Sequence, residues 1–555
     1  MSSPGDLSLS RRALLRLAGI GGSSMLLTAC GGFGRSTPAN NNSSGAATAP
    51  NATTTTSTSS GATTTTAATS GTPAASGSSA VNWNIVDTGA QLPSSQVTLR
   101  WMDSGDVKAN FFKAFFPAYT TRHPNIQVQY DGTNWNEITQ VVTLGFRNGT
   151  APDVFQLPPT ITAAQAEANG WIGALDDIVP NWADVKGRFP AGMFAAGVTD
   201  FGGKTYGYPF TSNKRINNLL LYNQDHLQQA GYDPSSKPLT WDEFRAACKK
   251  CTDQGAGKYY GLIIGIAQSG QLTGFIDTLA EMAGAHGGVI PVGSNGGEFN
   301  HLTGQFNFTS DEFVSAVELL LAIKSDGSIF PGSVSLDAPG ARGRMPQGLA
   351  AMILQGPWNI PIWTTASADF HLGVSLAPQK DPNHIWPLTY GPGGSNTWYY
   401  ASSTQLGSVV GDMFAYLGTV DGQTAWAHFD PAGDPAAFPE ALAKAQLDPL
   451  SAKAAKLAAD YTRLRPDPSV KNPDVFKVFE AFQQPTPNYN DTLVGLFTGD
   501  LQDVKQTMTS LQDRMNAALD DAIKTAQSRG AKVSRDDFVF SDWDPSQDYT
   551  SLYRK

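Results

Sequence analysis

Short apolar runs alternate with amphipathic segments beyond residue 90, and this pattern predicts an α/β fold. Apolar or alternating runs predict strands at 97–102, 124–130, 153–157, 261–265 and 372–376. Apolar residues at helical spacing predict a helix that opens at Asp106 and further helices at 138–146, 311–324, 409–417, 441–461 and 503–524. Because strands and helices alternate, with a second strand within about 30 residues of the first, we expect a parallel sheet.

The first 30 residues have a different pattern, typical of an export signal. Arg11 and Arg12 precede a mostly apolar run at 13–29, and Cys30 ends the sequence Leu-Thr-Ala-Cys. The run is too short and too rich in Gly and Ser for a bilayer-spanning helix. The arginine pair favours a twin-arginine address, and Leu-Thr-Ala-Cys resembles a bacterial lipobox. We therefore predict a signal at 1–29 and a lipid on Cys30. The alternative is an ordinary signal with a chance cysteine.

A low-complexity segment follows the signal. Residues 36–86 contain no Asp, Glu, Lys or Arg and consist mainly of Ser, Thr, Ala, Gly, Asn and Pro. Such a composition buries too little apolar surface to offset the entropy of ordering. We predict a disordered tether over 30–92, with a root-mean-square reach of about 40 Å for its uncharged part. Tether and lipid together predict a protein anchored to the cell membrane, outside the cytoplasm.

Size and charge limit the body of the protein. More than 450 residues beyond the tether are too many for one ordinary core, so we expect two or more lobes. The formal net charge of −10 argues against nucleic acid as a partner.

The C-x-x-C motif at Cys248 and Cys251 favours a structural role. Thr240 and Glu243 predict a capping box at the start of a helix, and both cysteines then lie well inside that helix. A thioredoxin-like motif instead places its first cysteine at a helix N-terminus. We therefore predict two small buried residues. Whether the two cysteines pair in an oxidising compartment stays open.

Catalytic motifs are absent from the sequence. It contains no G-x-S-x-G, G-x-G-x-x-G or H-E-x-x-H, and its seven histidines are scattered. We therefore predict no catalytic residues, no metal site and no cofactor. Asp542 and Asp544 do not fit an EF-hand loop, and a solvated acidic tail is expected there.

Aromatic and polar residues follow several predicted strands. Trp358 comes after an apolar strand at 350–354 and a Gly-Pro turn. The others are Asp103 and Ser104 after the first strand, Thr211 and Asn213 after 206–210, and the glycine-rich stretch from Tyr390 to Trp398. Ligands of open α/β sheets bind beyond the carboxyl ends of strands. An aromatic face beside amides, hydroxyls and carboxylates suits a neutral polyol.

Seven sequence blocks follow one another in a specific order between residues 95 and 528. They are Val97-Thr-Leu-Arg-Trp, His123-Pro-Asn-Ile-Gln-Val, Ala151-Pro-Asp-Val, Gly203-Lys-Thr-Tyr-Gly-Tyr-Pro, a block from Leu221 to Pro234, Leu239-Thr-Trp-Asp-Glu-Phe, and a block from Met345 to Trp358. Together they resemble family 1 extracellular solute-binding proteins, the sugar-binding components of ABC importers.

The resemblance implies a two-lobed, periplasmic-binding-protein-like α/β fold with hinge strands and a ligand cleft between the lobes. Crossings between the lobes are expected near 208–212, near 376–378 and after about His428. The implied lobes are 93–208 with 377–428, and 209–376 with 429–530. Residues 531–555 form a C-terminal extension beyond the final helix of the family, without an assigned role.

The resemblance also implies ligand-binding residues. Trp358 matches the stacking tryptophan of the family. Ser104, Asn213, Gly393 and Gly394 match positions that make polar and backbone contacts to the ligand in the family. Trp135 and Trp398 match aromatic walls on the other side of the ligand. Asp277 matches a contact from the second lobe. Asp103, Thr211 and Tyr390 complete the predicted site. Gln156 lies where some oligosaccharide binders of the family carry an aromatic residue or a carboxylate, which argues against a maltodextrin ligand.

We therefore expect a monomeric receptor that captures a carbohydrate and delivers it to an ABC permease in the membrane. A secreted glycoside hydrolase is one alternative, and it would need two carboxylates at the scissile bond, with Asp103 and Asp277 as the pair to consider. The other alternative is the same fold with a polyamine, peptide or glycerophosphodiester as its solute. An acidic cleft without aromatic platforms would favour a cation.

Overall fold

The computed structural model describes residues 81–553, apart from positions 82, 106, 159–160, 291–295, 382, 431 and 446. The predicted signal, Cys30 and residues 30–80 of the predicted tether lie outside the described residues. The prediction of a disordered tether is wrong for its last part, because Ile85 is buried in the first core and the Trp83 ring lies 5.6 Å from that of Phe111. Among the helices of the described part, none is long and apolar enough to cross a membrane.

Fifteen strands occur in the described residues, and two sheets contain most of them. The strands are β1 Val97–Asp103, β2 Ile126–Gly132, β3 Val154–Gln156, β4 Asp200–Phe201, β5 Lys204–Thr205, β6 Tyr208–Ser212, β7 Leu219–Asn223, β8 Tyr260–Leu262, β9 Phe299–Asn300, β10 Gln305–Phe306, β11 Ala350–Gln355, β12 Leu372–Ser375, β13 Leu388–Tyr390, β14 Gly394–Tyr400 and β15 Thr462–Leu464.

The α-helices surround these sheets. They are α1 Val107–Arg122, α2 Trp135–Asn148, α3 Ala163–Ala168, α4 Trp182–Gly187, α5 Gln224–Gln229, α6 Trp241–Gly255, α7 Gln271–Ala283, α8 Asp311–Ser325, α9 Ala338–Arg342, α10 Asn359–Ala366, α11 Gly407–Leu417, α12 Val420–Phe429, α13 Pro439–Lys444, α14 Pro449–Tyr461, α15 Pro468–Lys471, α16 Val475–Ala481, α17 Tyr489–Thr498 and α18 Val504–Ser528.

The sheet of the first lobe has five strands in the order β2-β1-β3-β14-β6. As predicted, β1 pairs in parallel with β2 and β3. The expectation of a parallel sheet is wrong for β14, which runs antiparallel to both β3 and β6 because the chain returns to this lobe from the other one. The sheet is therefore mixed.

An aromatic core fills the first lobe behind this sheet. The apolar face of α1 carries Phe111, Phe112, Phe115 and Phe116, and all four are buried. Two of these rings, Phe112 and Phe116, pack on Trp101 of β1 at centroid distances of 4.9 and 5.3 Å. This packing holds the carboxyl end of β1 at the edge of the sheet.

The sheet of the second lobe has four strands in the order β12-β7-β11-β8. Strand β11 is parallel to β8 and antiparallel to β7, and β7 is antiparallel to β12. All six residues of β11 are buried, as expected for a central apolar strand. The carboxyl end of β11 leads directly to Trp358.

The predicted helix at 441–461 is wrong, because the chain forms two helices there, α13 and α14. Pro449 has no backbone N–H and ends any continuous helix from the preceding turn. The Asp448 side chain instead caps the new helix and accepts hydrogen bonds from the backbone N–H groups of Leu450 and Ser451, both at 3.0 Å.

The capping box at Thr240 is confirmed. The Thr240 hydroxyl accepts from the Glu243 N–H at 3.1 Å, and the Glu243 carboxylate accepts from the Thr240 N–H at 2.8 Å. Cys248 and Cys251 are buried inside α6, as predicted, and both are free thiols. Burial raises the pKa of the Cys251 thiol to about 12, so neither a thiolate nor a redox role is indicated.

The two largest hydrophobic cores of the described residues each accompany one sheet, and a smaller third cluster lies around Ile138 and Phe155 of the first lobe. Phe210 packs in the first core and Ile216 in the second, so the chain passes between the lobes after β6. Ala432 packs in the second core, whereas Ala436 and Phe438 pack in the first. The residue limits given above for the lobes stay a prediction.

Asp542 and Asp544 are exposed, as expected for solvated acidic residues, but the segment that carries them is not a free tail. Phe538, Phe540 and Trp543 in the C-terminal extension are all buried. The Phe540 N–H donates to the carbonyl oxygen of His301 at 2.8 Å. The extension is therefore packed against the second lobe, because its apolar residues occur between the acidic ones.

Candidate functional site

Two neighbouring cavities open along the boundary between the lobes, and both are lined by Arg215 and Val289. The deep cavity, of about 320 Å³, belongs mainly to the second lobe. It is lined among others by Asn217, Gln271, Asp277, Glu281, Glu298 and Trp358. The cleft cavity, of about 390 Å³, has walls from both lobes. It is lined among others by Trp135, Gln156, Asn213, Gly394, Asp467 and Phe476.

Trp358 lines the deep cavity just beyond the carboxyl end of β11, where the sequence predicts an aromatic platform for a ligand. It follows β11 and forms the N-cap of α10. Its ring packs directly on Gly356, since a Cβ atom at that position would come within 2.0 Å of the ring. Only glycine therefore allows this ring position. The Arg215 guanidinium carbon lies 5.7 Å from the centroid of the Trp358 ring, a cation–π distance.

Arg215 is anchored by charge at the hinge. It forms an ion pair with Asp434, and Lys108 of α1 lies 3.9 Å from the same carboxylate. Burial lowers the pKa of Arg215 to about 10, so the guanidinium remains charged near neutral pH. Arg215 therefore brings a fixed positive charge and several N–H donors to the boundary of both cavities.

Three carboxylates line the deep cavity. Asp277 and Glu281 are four residues apart on α7 and so share a helix face. Tyr489 donates to Asp277 Oδ1 at 2.8 Å, and Thr389 donates to Glu281 Oε1 at 3.0 Å. Glu298 reaches the same cavity from the start of β9. The deep cavity is consequently acidic on the side that faces α7.

The carboxylates bind protons more tightly than exposed ones. Burial raises the pKa of Glu281 to about 8 and that of Glu298 to about 7, while the Arg465 guanidinium opposes both shifts. Burial also raises the pKa of Asp277, and the neighbouring Glu298 carboxylate adds to this rise. Near neutral pH the cavity therefore offers both O–H donors and carboxylate acceptors.

The stability of the protein is expected to fall as the pH rises from about 5 to about 8. The pKa values of Glu281 and Glu298 lie near 8 and 7 in the folded state, against 4.5 for an ordinary Glu. The folded state therefore keeps protons that the unfolded state releases, so raising the pH favours unfolding. Urea denaturation at successive pH values measures this slope.

The double variant Glu281→Gln with Glu298→Gln should flatten that pH dependence. Glu318→Gln, at an exposed position of α8, is the matched control and should keep the wild-type slope. An equal slope in the double variant and the wild type would contradict the assignment of these two carboxylates.

The cleft cavity contains the exposed ring of Trp135 and a network of amides. Trp135 begins α2 and is 41% exposed. The Asn213 amide donates to the carbonyl oxygens of Gly391 and Gly393 at 3.3 and 3.0 Å. Both amide hydrogens of Asn213 are thus used to hold the turn before β14, where Gly393 adopts a φ of 84°. The side-chain carbonyl oxygen of Asn213 remains available to a ligand.

Gln156 takes part in this network. Its Oε1 accepts from the Ser104 N–H at 3.0 Å, and its Nε2 donates to Asn396 Oδ1 at 3.2 Å. Asn396 in turn donates to the Thr211 hydroxyl at 3.2 Å. Gln156 therefore links the ends of β1, β3 and β6 at the cleft, in place of an aromatic residue or a carboxylate.

The structure brings together only part of the predicted site. Trp358 and Asp277 line the deep cavity, and Trp135, Asn213 and Gly394 line the cleft cavity. Asp103, Ser104 and Thr211 are buried and line neither the deep cavity nor the cleft cavity. Asp103 accepts from the Gly105 N–H and the Tyr130 hydroxyl, both at 2.8 Å, and burial raises its pKa to about 6.

Three other predicted residues do not line either cavity. Trp398 is fully buried in the first core, with its ring 5.2 Å from that of Phe210. The family resemblance implies a wall of the ligand site at Trp398, but its position in β14 points it into the core. Tyr390 and Gly393 line a separate cavity of about 310 Å³ beside Ser212 and Lys214.

Several cavity residues have no counterpart in the sequence prediction. They are Arg215, Asn217, Gln271, Glu281, Glu298 and Gln355. The spacing of Asp277 and Glu281 on one helix face was the only available signal for the acidic wall. Within the described part of the chain, no group of three or more His, Cys, Asp or Glu side chains is placed to hold a metal ion.

Comparison with known proteins agrees with this architecture. The family described as bacterial extracellular solute-binding protein matches residues 105–405, more than half of the chain. The chain belongs to this family. The resemblance inferred from the seven sequence blocks is therefore confirmed, and members of the family are binding proteins rather than enzymes.

Two relatives extend the comparison by sequence. An uncharacterised lipoprotein of Streptomyces antibioticus is 28% identical over 143 residues, which cover 25% of this chain and 30% of the relative. A putative binding protein of Brucella abortus is 23% identical over 268 residues, covering 48% of this chain and 59% of the relative. The chain thus matches less than two thirds of the length of either relative.

Solved structures share the two-lobed fold. The GacH receptor of Streptomyces glaucescens, solved unliganded and with acarbose, has a TM-score of 0.55 at 17% identity over 76% of this chain and 98% of that one. A solute-binding protein of Thermotoga lettingae bound to α-D-tagatose has a TM-score of 0.57 at 18% identity, covering 77% and 100%. Maltose-bound MalE3 of T. maritima has a TM-score of 0.55 at 18% identity, covering 75% and 98%. At these identities the likeness establishes the fold.

Proposed function

We propose that the protein is the receptor of an ABC importer, which captures a carbohydrate in the deep and cleft cavities and delivers it to a membrane permease. The observation that carries this proposal is the Trp358 ring at the carboxyl end of β11, in a cavity that also contains amide side chains. Structural neighbours bound to acarbose, tagatose and maltose support a carbohydrate ligand.

The deep cavity has the chemistry that a sugar requires. The C–H face of a sugar ring packs on an indole, while its hydroxyls need donors and acceptors together. Asn217 Oδ1 is buried and has no hydrogen-bond partner among the described residues, so it is an acceptor for a ligand hydroxyl. Gln355 donates to Gln271 Oε1 at 2.6 Å, which orients the Gln355 carbonyl oxygen as another acceptor.

Capture depends on both lobes. Arg215 and Val289 line both cavities, so a ligand that fills them contacts residues of the hinge and of both lobes. Such contacts exist only in the closed state, and the ligand therefore shifts the equilibrium between open and closed molecules toward the closed state. The permease then recognises the closed receptor.

The proposal includes the anchor predicted from the sequence. A lipid on Cys30 and a tether over 30–80 would keep a monomeric receptor close to its permease at the outer face of the membrane. The lipoprotein name of the Streptomyces antibioticus relative supports this part. Mass spectrometry of the membrane fraction tests it, since Cys30→Ser should release the protein from the membrane.

A second candidate is the same receptor with a cationic solute such as a polyamine. The observation that favours it is the acidic wall formed by Asp277, Glu281 and Glu298 in the deep cavity. A charged amine would form charge-assisted hydrogen bonds with these carboxylates. The aromatic face of Trp358 next to them favours the sugar, because a linear polyamine does not need a platform.

A thermal-shift panel of neutral mono- and oligosaccharides and of polyamines distinguishes the two candidates. We expect a sugar at about 100 times its dissociation constant to stabilise the protein by about 2.7 kcal/mol. Stabilisation by polyamines alone would overturn the carbohydrate proposal. Release of reducing sugar from an oligosaccharide would instead support a glycoside hydrolase.

A further inference from the structure

The last residues of the C-terminal extension hydrogen-bond along one short strand of the second lobe, β15. Strand β15 pairs in parallel with β13 through the register Leu388↔Thr462 to Tyr390↔Leu464. On its other edge, the Leu464 N–H donates to Asp548 Oδ1 at 2.7 Å, and the Tyr549 N–H donates to the Leu464 carbonyl at 2.7 Å. The extension therefore occupies the edge of β15 that β13 leaves unpaired.

The residues on either side of Leu464 are held as well. The Arg463 Nε donates to the Ser546 carbonyl at 2.9 Å, and the Tyr553 hydroxyl donates to the Arg465 carbonyl at 2.9 Å. Residues 546–553 thus make hydrogen bonds to three consecutive residues of the second lobe. We call residues 546–553 the strap.

The held segment ends at Arg465, which is buried behind the acidic wall of the deep cavity. Its backbone N–H donates to the Tyr390 carbonyl at 3.0 Å, and its Nη1 donates to the Thr389 carbonyl at 3.4 Å. Thr389 in turn donates to Glu281 Oε1 at 3.0 Å. Thr389 therefore links Arg465 to Glu281, which lines the cavity.

The space around the Arg465 side chain is narrow. A Cβ atom on Gly288 would lie 2.6 Å from Arg465 Nε, and one on Gly391 would lie 3.1 Å from its Nη2. The side chain thus runs through a passage that only glycines leave open. A small displacement of the Arg465 backbone would move the guanidinium relative to the carboxylates, because the passage leaves no room for a compensating rotamer.

The geometry points to the strap as a positioning element. The strap fixes β15 and thereby holds the Arg465 guanidinium behind the carboxylates of the deep cavity. In this way the strap controls solute affinity without touching the solute. This inference rests on the proposed function, because it takes the deep cavity as the solute site. Charged and titratable groups that face Glu281 or Arg465 are Asp277, Glu298, His301, Asp467 and Tyr553.

Asp548→Ala tests the strap because it removes the acceptor of the Leu464 N–H. Hydrogen exchange of the Leu464 amide should accelerate about tenfold or more, from loss of one charge-assisted hydrogen bond. The pKa of Glu281, followed by NMR of its carboxyl group, should rise further, because Arg465 lowers it in the wild type. Affinity for the solute should fall about tenfold. Neither of the first two measurements needs a ligand.

Three further variants complete the experiment. Asp548→Asn keeps an acceptor oxygen without the charge, so its effects should lie between those of the wild type and Asp548→Ala. A stop codon after Pro545 removes the whole strap and should exceed the effect of Asp548→Ala. Asp521→Ala, at an exposed position of α18, is the control and should change nothing.

Each outcome decides the inference. The inference is overturned if both Asp548→Ala and the truncation leave the pKa of Glu281 at its wild-type value. Faster hydrogen exchange at Leu464 would not rescue the inference, because the strap would then be merely structural. If both ligand-free measurements change as expected but neither sugars nor polyamines bind the wild type, the positioning role stands and the proposed function fails.

Discussion

Trp358→Ala is expected to weaken carbohydrate binding by about 2–4 kcal/mol, or roughly 30- to 1000-fold, while the protein stays folded. An aromatic platform in a partly closed cavity behaves as a binding hot spot, since it supplies most of the apolar contact to the ligand. The ring lines the deep cavity, and the α10 helix that it caps has its own buried anchors at Ile360 and Trp363. Calorimetric titration of the best sugar from the panel measures the change.

Trp135→Ala is the matched control for this prediction. Trp135 also borders the site, but 41% of its surface is exposed, so its removal should change affinity less than about tenfold. Wild-type affinity in Trp358→Ala would show that the ligand does not use the deep cavity. A polyamine that binds Trp358→Ala and wild type equally would favour the cationic solute.

Trp398→Ala is expected to lower the free energy of unfolding by about 3–5 kcal/mol, as for other large-to-small substitutions of buried aromatics. The Trp398 ring is fully buried and lies 5.9 Å from that of Trp101 and 5.5 Å from that of Phe112. Its removal leaves a cavity in the centre of the first core. Urea denaturation compares the variant with the wild type.

The two tryptophan variants should separate binding from folding. Trp358→Ala should affect mainly affinity, and Trp398→Ala mainly stability. A Trp398→Ala protein with wild-type stability and lost sugar binding would restore Trp398 as a wall of the ligand site and contradict its position in the core.

The parts of the fold that the sequence predicts are those with strong local signals. Strands β1 and β2 alternate clearly and appear within a residue or two of the expected limits, and the Thr240 cap has both partners of a capping box nearby. The break at Pro449 was missed, because the apolar spacing continues across it at 441–461 although Pro449 and Asp448 begin a new helix.

The candidate site was less predictable because its residues come from segments far apart in the chain. Trp358 follows a recognisable strand and turn, so it could be found from its own neighbourhood. Glu298 joins Asp277 and Glu281 only through the fold, and Arg215 reaches the site only because Asp434 holds it at the hinge. No pattern within a single segment of the sequence indicates that these charged residues come together in the fold.

Trp398 illustrates the opposite error. A tryptophan beside a glycine-rich turn is a reasonable candidate for an exposed platform, and Trp358 and Trp398 look alike in this respect. Their difference arises from the sheet, because β14 is paired on both sides and its register directs Trp398 toward α1. Side-chain direction in a strand depends on pairing that the sequence alone does not specify.

The acidic wall and its strap change the expected chemistry of the receptor. A cavity with three carboxylates at raised pKa values should bind its ligand in a pH-dependent manner, unlike a purely amide-lined sugar site. Arg465 lowers the pKa of two of them, Glu281 and Glu298, and residues 546–553 hold its backbone. The C-terminal extension is thus connected to the deep cavity through contacts of the second lobe.

Small-angle X-ray scattering of the wild-type protein, without ligand and with a saturating sugar from the panel, tests capture between the lobes most directly. Closure of two lobes on one ligand makes the molecule more compact, so the radius of gyration should fall when the sugar binds. A sugar that binds by calorimetry but leaves the scattering curve unchanged would contradict capture between the lobes, as would a panel in which no sugar binds.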